Sequence, residues 1–124
     1  MFYLRVRDDF SAAHYLRGYK GKCESLHGHN WKVELEAVFD RLDEVGLAID
    51  YKDLKRILRD VIAKFDHTEL NRLDYFLVKN PTTENIAQII YTEAKNRLAD
   101  YGAKRVAVTI WESEDSCCKY EEDA

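Results

Sequence analysis

Residues 27–39 read HGHNWKVELEAVF, and this stretch decides the fold. From its tryptophan to its final phenylalanine, apolar side chains occupy every second position, which is the pattern of a strand with one buried face. His27 and His29 share that parity. Residues 2–10 alternate in the same way, and their phase continues to His14. The sequence therefore predicts two strands that present three histidines on their apolar faces.

Two amphipathic helices are predicted in the middle of the chain. The first follows Asp50, a residue type that caps helix N-termini, and its apolar positions recur at steps of three and four residues as far as Phe65. The second follows Pro81, with Thr82 as its N-cap. It should stop at Gly102, because glycine suits the left-handed position just beyond a helix end.

A third strand is predicted after the second helix, because Val106, Val108 and Ile110 share one parity with Glu112. The remaining residues to Tyr120 form a short, acidic, strand-like end. This order of elements predicts an α+β fold, in which a four-stranded antiparallel sheet has two helices packed on one face.

The other face of the predicted sheet carries Tyr3, Arg5 and Trp111. Large aromatic side chains seldom remain in water without a partner, so we expect a homo-oligomer.

The composition of the chain excludes several classes of function. The 124 residues are 46% hydrophobic and carry a formal net charge of −4. We therefore expect one domain over residues 1–124, with no nucleic-acid surface and a small molecule as partner. The alternating N-terminus does not resemble a signal peptide, and no segment approaches membrane-spanning length, so we expect a cytoplasmic protein. Three cysteines in such a chain should be thiols.

The three histidines His14, His27 and His29 predict a metal site. Alternate residues of a strand project to one side, so the imidazoles of His27 and His29 can converge on one ion, and His14 can supply a third nitrogen. Three neutral imidazoles without a fourth protein ligand are typical of catalytic zinc, with iron or another divalent metal as the alternative. The residues alone also allow a polar His-Gly-His turn that holds no metal.

Cys23 lies four residues before His27, in a loop that also carries Lys20 and Lys22. Nearby positive charge favours a thiolate, so Cys23 is a candidate base. The alternative is that Cys23 is a fourth zinc ligand, which would make the site structural.

Two other positions are candidates for acid–base or binding roles. Asp66 and His67 are adjacent and would suit a proton relay, although a histidine that interacts with a helix C-terminus is an equal alternative. Glu112 has the parity of core residues, so its carboxylate should point toward a partly buried place unless it bends to solvent. There it can accept two parallel N–H groups, as the edge of a pterin or guanine presents.

Four motifs, in this order, closely resemble the 6-pyruvoyltetrahydropterin synthase superfamily: Cys23-x-x-x-His27-Gly28-His29, Asp66-His67-x-x-Leu70-Asn71, Asn80-Pro81-Thr82-Thr83-Glu84-Asn85 and Trp111-Glu112. The first motif is similar to the bacterial 6-carboxy-5,6,7,8-tetrahydropterin synthases of queuosine biosynthesis. The resemblance extends from residue 4 to about residue 112. The tail departs from the family pattern, because Ser113 to Cys118 replace a segment that usually contains proline and threonine.

The resemblance implies the tunnelling T-fold, whose subunits form trimeric barrels that pair into hexamers with active sites between subunits. Asp66 and His67 would then reach Cys23 of a neighbouring chain. The implied reaction converts 7,8-dihydroneopterin triphosphate to 6-carboxytetrahydropterin, with release of acetaldehyde and triphosphate. In that reaction Zn²⁺ on the three histidines would act as a Lewis acid, Cys23 would remove a proton, and Glu112 would hold the pterin.

Thr82 and Glu84 match positions that line the pterin pocket in the family, although both residue types also suit the start of a helix. Arg17, Lys20 and Lys22 are hypothesised to meet the triphosphate. Cys117 and Cys118 should pack as small apolar residues without a role. Two alternative functions remain at this stage, namely 6-pyruvoyltetrahydropterin synthesis, which stops after triphosphate elimination, and a non-catalytic zinc- or pterin-binding module.

Overall fold

The computed structural model describes residues 1–21 and 24–123 and is built on one long antiparallel ladder. Strand β1 (Phe2–His14) pairs with strand β2 (His27–Phe39) along its whole length, from the pair Phe2 and Phe39 to the pair His14 and His27. In both strands, more buried and more exposed side chains alternate in the predicted phase. The first predicted strand therefore extends to His14, as its parity indicated.

Three shorter strands complete the sheet. In chain order they are β3 (Thr68–Glu69), β4 (Arg105–Trp111) and β5 (Cys117–Tyr120). Strand β4 pairs antiparallel with β2, and β5 pairs antiparallel with β4. Strand β3 lies on the other side of β1 and is parallel to it, which gives the order β3-β1-β2-β4-β5.

The predicted four-stranded antiparallel sheet is wrong in two respects, because the sheet has five strands and is mixed. The extra strand, β3, is only two residues long and is too short to produce an alternating pattern in the sequence. It pairs only with Ala12 and Ala13, so within the described chain the rest of the outer edge of β1 has no strand beside it.

Both predicted helices are present with their predicted caps. Helix α1 (Tyr51–Ile62) begins where the Asp50 carboxylate accepts a hydrogen bond from the Lys52 backbone N–H, at 2.8 Å. Helix α2 (Thr83–Ala99) begins where Thr82 Oγ1 accepts from the Asn85 N–H, at 3.1 Å. Beyond α1, short 3₁₀ turns follow β3 at Leu70–Arg72 and Asp74–Phe76.

The ends of the helices differ slightly from their predicted positions. Phe65 lies beyond α1 but is fully buried, so its apolar spacing reflected the core and not the helix itself. Gly102 has φ of +82°, the left-handed conformation expected of it just beyond α2. Within the described residues, no helix is long and apolar enough to span a bilayer.

The two faces of the sheet have different characters. The face under the helices is a continuous core that includes Phe10, Trp31 and Leu35, all at most 1% exposed. On the other face, Tyr3 remains 56% exposed, as its parity predicted. The Arg7 guanidinium lies 5.2 Å from the ring centre of Trp111 on this open face.

Candidate metal centre

Three histidines converge at one end of the long ladder. His14 ends β1 and pairs directly with His27, the first residue of β2, while Ala12 pairs with His29. All three imidazoles therefore project from the helix-covered face. Their ring centres lie 4.6 Å apart for His14 and His27, 4.8 Å for His27 and His29, and 5.2 Å for His14 and His29.

Backbone carbonyls orient two of these rings. His14 Nδ1 donates to the Pro81 carbonyl at 2.7 Å, and His27 Nδ1 donates to the Ser25 carbonyl at 2.7 Å. Because a carbonyl oxygen can only accept, each Nδ1 carries a proton, and in the neutral imidazole Nε2 then keeps a free lone pair. This arrangement of neutral histidines is the one that metal-binding histidines commonly show.

Glu112 joins the three histidines. Its Oε1 lies 2.9 Å from His29 Nε2 and 3.5 Å from His14 Nε2. One possible ligand atom from each of the four residues lies within 4.8 Å of every other. The parity of Glu112 predicted a partly buried carboxylate, and its side chain is 33% exposed. Sequence reasoning missed its contact with the histidines, which depends on the register between β2 and β4.

Burial determines the charge state of His14 and His29. Desolvation lowers the pKa of His14, whereas the Pro81 carbonyl and the Glu112 carboxylate act in the opposite direction. Desolvation also lowers the pKa of His29, against the raising effect of Glu112 and together with the other two histidines. Both imidazoles are therefore favoured in the neutral form, which is the form that binds a metal.

The cluster fits a divalent metal ion. The Nε2 atoms of His14 and His29 are buried, and within the described chain neither makes a well-directed hydrogen bond, although Glu112 Oε1 lies close to both. A buried nitrogen without a partner loses the free energy that water would supply, so it normally marks a missing ligand. Three imidazoles form a donor set that suits zinc, and the carboxylate beside them adds a compensating negative charge.

The Asp66–His67 pair lies apart from this cluster, at the outer edge of β1. The Ser11 backbone N–H donates to Asp66 Oδ1 at 2.9 Å, and the His67 N–H donates to the Ser11 carbonyl at 2.6 Å. His67 Nδ1 lies 3.0 Å from Asp66 Oδ2. The Ser11 N–H is the main cause that lowers the pKa of Asp66, and His67 contributes to the same shift.

His67 is held in an unusual backbone conformation. Its φ is +57°, and it is the only described residue other than glycine with a positive φ. Its side chain is 83% exposed. A left-handed backbone at a non-glycine residue is unfavourable and often marks a functional position. In the single chain, this histidine is directed toward solvent.

The other predicted site residues have varied surroundings. Cys23 and Lys22 lie outside the described residues. Thr82 caps α2, and Glu84 Oε1 accepts a hydrogen bond from Thr83 Oγ1 at 2.7 Å. Thr82 thus has the capping role that its residue type suggested.

The residues hypothesised to bind the triphosphate differ in how far they are free to do so. Arg17 already uses its guanidinium within the chain, because it donates to the carbonyls of Lys79 and Asn71, each at 3.3 Å. Lys20 is exposed.

The two C-terminal cysteines differ from each other. Both are free thiols, as expected. Cys118 packs partly against the core, and burial raises the pKa of its thiol. Cys117 is exposed, so the prediction that both would pack as apolar residues is wrong for Cys117. Successive residues of β5 point to opposite faces, and only one of two neighbours can face the core.

Comparison with known proteins identifies the class. The model of the family described as 6-pyruvoyl tetrahydropterin synthase matches residues 3–123. A protein of Archaeoglobus fulgidus, provisionally named as a 6-carboxy-5,6,7,8-tetrahydropterin synthase, is 44% identical over 110 residues, covering 89% of this chain and 87% of its own. The Bacillus subtilis protein named 6-carboxy-5,6,7,8-tetrahydropterin synthase is 32% identical, covering 89% and 78% of the two chains.

A solved structure agrees in fold. The 6-pyruvoyl tetrahydropterin synthase of Caenorhabditis elegans superposes with a TM-score of 0.86 at 26% identity, covering 98% of this chain and 96% of that one. The chain therefore belongs to the 6-pyruvoyl tetrahydropterin synthase family, and it is an enzyme of that family.

We predict that the metal-free protein loses stability as the pH falls below about 6.5. Burial keeps His14 and His29 neutral in the folded state, whereas the unfolded chain protonates its histidines near pH 6.5. The unfolded state then binds more protons, so the stability present above that pKa is lost on acidification. Urea unfolding at about pH 7.5 and about pH 5.5 measures the change.

The control is a double variant, His14→Gln with His29→Gln, which removes both titrating groups. Its free energy of unfolding should depend less on pH over the same range. Equal pH dependence in the two proteins would contradict the assignment of neutral, buried histidines.

We predict that His67→Gly is more stable than His67→Ala by about 1 kcal/mol, because glycine tolerates positive φ and alanine does not. The two variants lose the same exposed imidazole, so they differ mainly in backbone freedom. Thermal or urea unfolding compares them. If His67→Ala proved equal or more stable, His67 would not have a left-handed backbone in solution.

Proposed function

We propose that this chain is a zinc-dependent 6-carboxy-5,6,7,8-tetrahydropterin synthase, a carbon–carbon lyase. It converts 7,8-dihydroneopterin triphosphate and one water to 6-carboxytetrahydropterin, acetaldehyde and triphosphate, within queuosine biosynthesis. The observation that carries the proposal is the cluster of His14, His27 and His29, in which two buried Nε2 atoms make no well-directed hydrogen bond within the described residues. Relatives named as 6-carboxy-5,6,7,8-tetrahydropterin synthases support the choice of reaction.

The metal would be held by His14, His27 and His29. Zinc bound there supplies Lewis-acid chemistry to the hydroxyl-bearing side chain of the substrate. The carbonyls of Pro81 and Ser25 keep the Nδ1 atoms of His14 and His27 protonated. These hydrogen bonds leave the Nε2 lone pairs available. The two imidazoles are therefore already in the tautomer that metal binding requires.

Glu112 is proposed to bind the pterin edge. Its two oxygens can accept two parallel N–H groups of the ring. In the free chain, Oε1 lies beside the histidines, and the partial exposure of the side chain lets it turn toward a bound substrate. Thr82 and Glu84, at the start of α2, are proposed to line the same pocket, since Thr82 follows the residue that contacts His14.

Cys23 is proposed as the base that removes a proton from the substrate side chain, with Asp66 and His67 as the relay. The exposed His67 ring and its contact with Asp66 suit transfer to a group on another subunit. The pKa of Asp66 is lowered, mainly by the Ser11 N–H, so its carboxylate is kept as an acceptor that can hold the His67 ring.

The proposal includes an assembly. We propose that residues 1–124 form one T-fold domain, that subunits associate as a hexamer made of two trimers, and that the enzyme works in the cytoplasm. The exposed aromatic side chain of Tyr3 on the open sheet face and the outward-facing His67 support an assembled form.

A second candidate is 6-pyruvoyl tetrahydropterin synthesis, which removes triphosphate but keeps the three-carbon side chain. The name of the C. elegans structure favours this alternative. Analysis of the products decides between the two reactions. We predict that the zinc-loaded protein, incubated with 7,8-dihydroneopterin triphosphate, releases acetaldehyde together with triphosphate. Triphosphate release with a retained side chain would establish the second candidate.

We predict that Cys23→Ala retains zinc at the level of the unmodified protein but loses acetaldehyde formation by at least about a hundredfold, as expected for removal of a catalytic base. Metal analysis and the product assay are made on the same preparation. Loss of zinc together with loss of folded protein would instead identify Cys23 as a structural ligand.

A further inference from the structure

Two asparagine side chains hold the segment that follows His14. The Tyr15 N–H donates to Asn71 Oδ1 at 2.9 Å, and Asn71 Nδ2 donates back to the Tyr15 carbonyl at 3.0 Å. Asn80 does the same for Arg17, with both distances 2.9 Å. Each side-chain amide thus replaces the neighbouring strand that would otherwise bond this backbone.

Asn80 differs from Asn71 because it is also connected to the hydrogen-bond partner of His14. Asn80 directly precedes Pro81, whose carbonyl accepts the hydrogen bond from His14 Nδ1. The Asn80 carbonyl in turn accepts from Asn85 Nδ2 at 2.8 Å, which ties this position to the first turn of α2. The result is a closed set of contacts that runs from His14 along the chain to Arg17, across to Asn80, and through Pro81 back to His14.

This closed set fixes the His14 ring in two respects. It holds the Pro81 carbonyl at the distance needed to keep Nδ1 protonated, and it directs Nε2 toward His29 and Glu112. A carbonyl partner of this kind determines the tautomer and orientation of a metal-binding histidine. His14 is only 2% exposed, so water cannot replace the carbonyl if Pro81 shifts.

We propose that Asn80 is a positioning residue for the metal site, which acts on His14 through the Pro81 carbonyl. Within the described residues, the Asn71 side chain bonds only to the Tyr15 backbone and not to the segment of Asn80 and Pro81, so it serves stability and not the tautomer. The inference rests on the proposed function in one respect, namely that His14 binds a divalent metal.

The test compares Asn80→Ala with Asn71→Ala, since each substitution removes two side-chain hydrogen bonds of the same kind. Zinc affinity is measured by competition with a chelator. The tautomer of His14 is measured by ¹H–¹⁵N NMR of the imidazoles in the metal-free protein. We expect Asn80→Ala to weaken zinc binding roughly 10–100-fold and His14 to lose its single Nδ1–H form. Asn71→Ala should lower stability but keep that tautomer.

A conservative variant keeps the test informative if Asn80→Ala does not fold. Asn80→Asp still accepts from the Arg17 N–H but cannot donate to the Arg17 carbonyl, so we expect an intermediate loss of zinc affinity and a mixed tautomer. An unchanged tautomer and zinc affinity in both Asn80 variants would overturn the inference, as would equal changes in the Asn71 variant. If the unmodified protein bound no divalent metal, the proposed function would fail instead, while the NMR comparison would still test the link to His14.

Discussion

The candidate site depends on one register, the pairing of His14 with His27 at the end of the β1–β2 ladder. A slip of one residue would turn every side chain of a strand to the opposite face. The core residues of β1 and β2 prevent that slip, because burying Trp31 and Phe10 on the same face fixes the phase. The hydrophobic core and the histidine cluster are therefore specified by the same alternation, and the histidines occupy its last positions.

The cluster also carries an energetic cost that the surrounding structure only partly offsets. Imidazoles lose hydration when they are buried, and within the described residues the Nε2 atoms of His14 and His29 have the Glu112 carboxylate nearby but no well-directed hydrogen bond. The carbonyls of Pro81 and Ser25 satisfy two of the Nδ1 atoms. The remaining cost is the free energy that a bound cation can recover, which couples metal binding to stability.

Local patterns were sufficient to predict most of the fold. The parity of His14, His27 and His29 was readable because each lies on a strand whose phase is fixed by many apolar neighbours. Asp50 and Thr82 were recognisable as caps for similar reasons, since a cap is defined by its own residue type and the helix that follows.

What the sequence did not predict depends on contacts between distant segments. Strand β3 contains only two residues, and the turn before it is tied to Ser11 by hydrogen bonds from distant parts of the sequence. The contact of Glu112 with His29 needs the register between two strands, and the bond from His14 to Pro81 involves a backbone atom, which leaves no trace in residue type. Asn71 and Asn80 were visible in the motifs. The paired hydrogen bonds from their side-chain amides to the backbone of Tyr15 and Arg17 were not.

The short length of β3 has a consequence for how a single chain behaves. Between Tyr3 and Asp9, alternate backbone groups of β1 point away from β2, and no strand of the described chain lies beside them. In water these groups are hydrated, and any second strand that aligns with them releases that water. Such an edge serves equally as a template for ordered assembly and for disordered association. A single chain is therefore open to association along this edge wherever no second strand covers it.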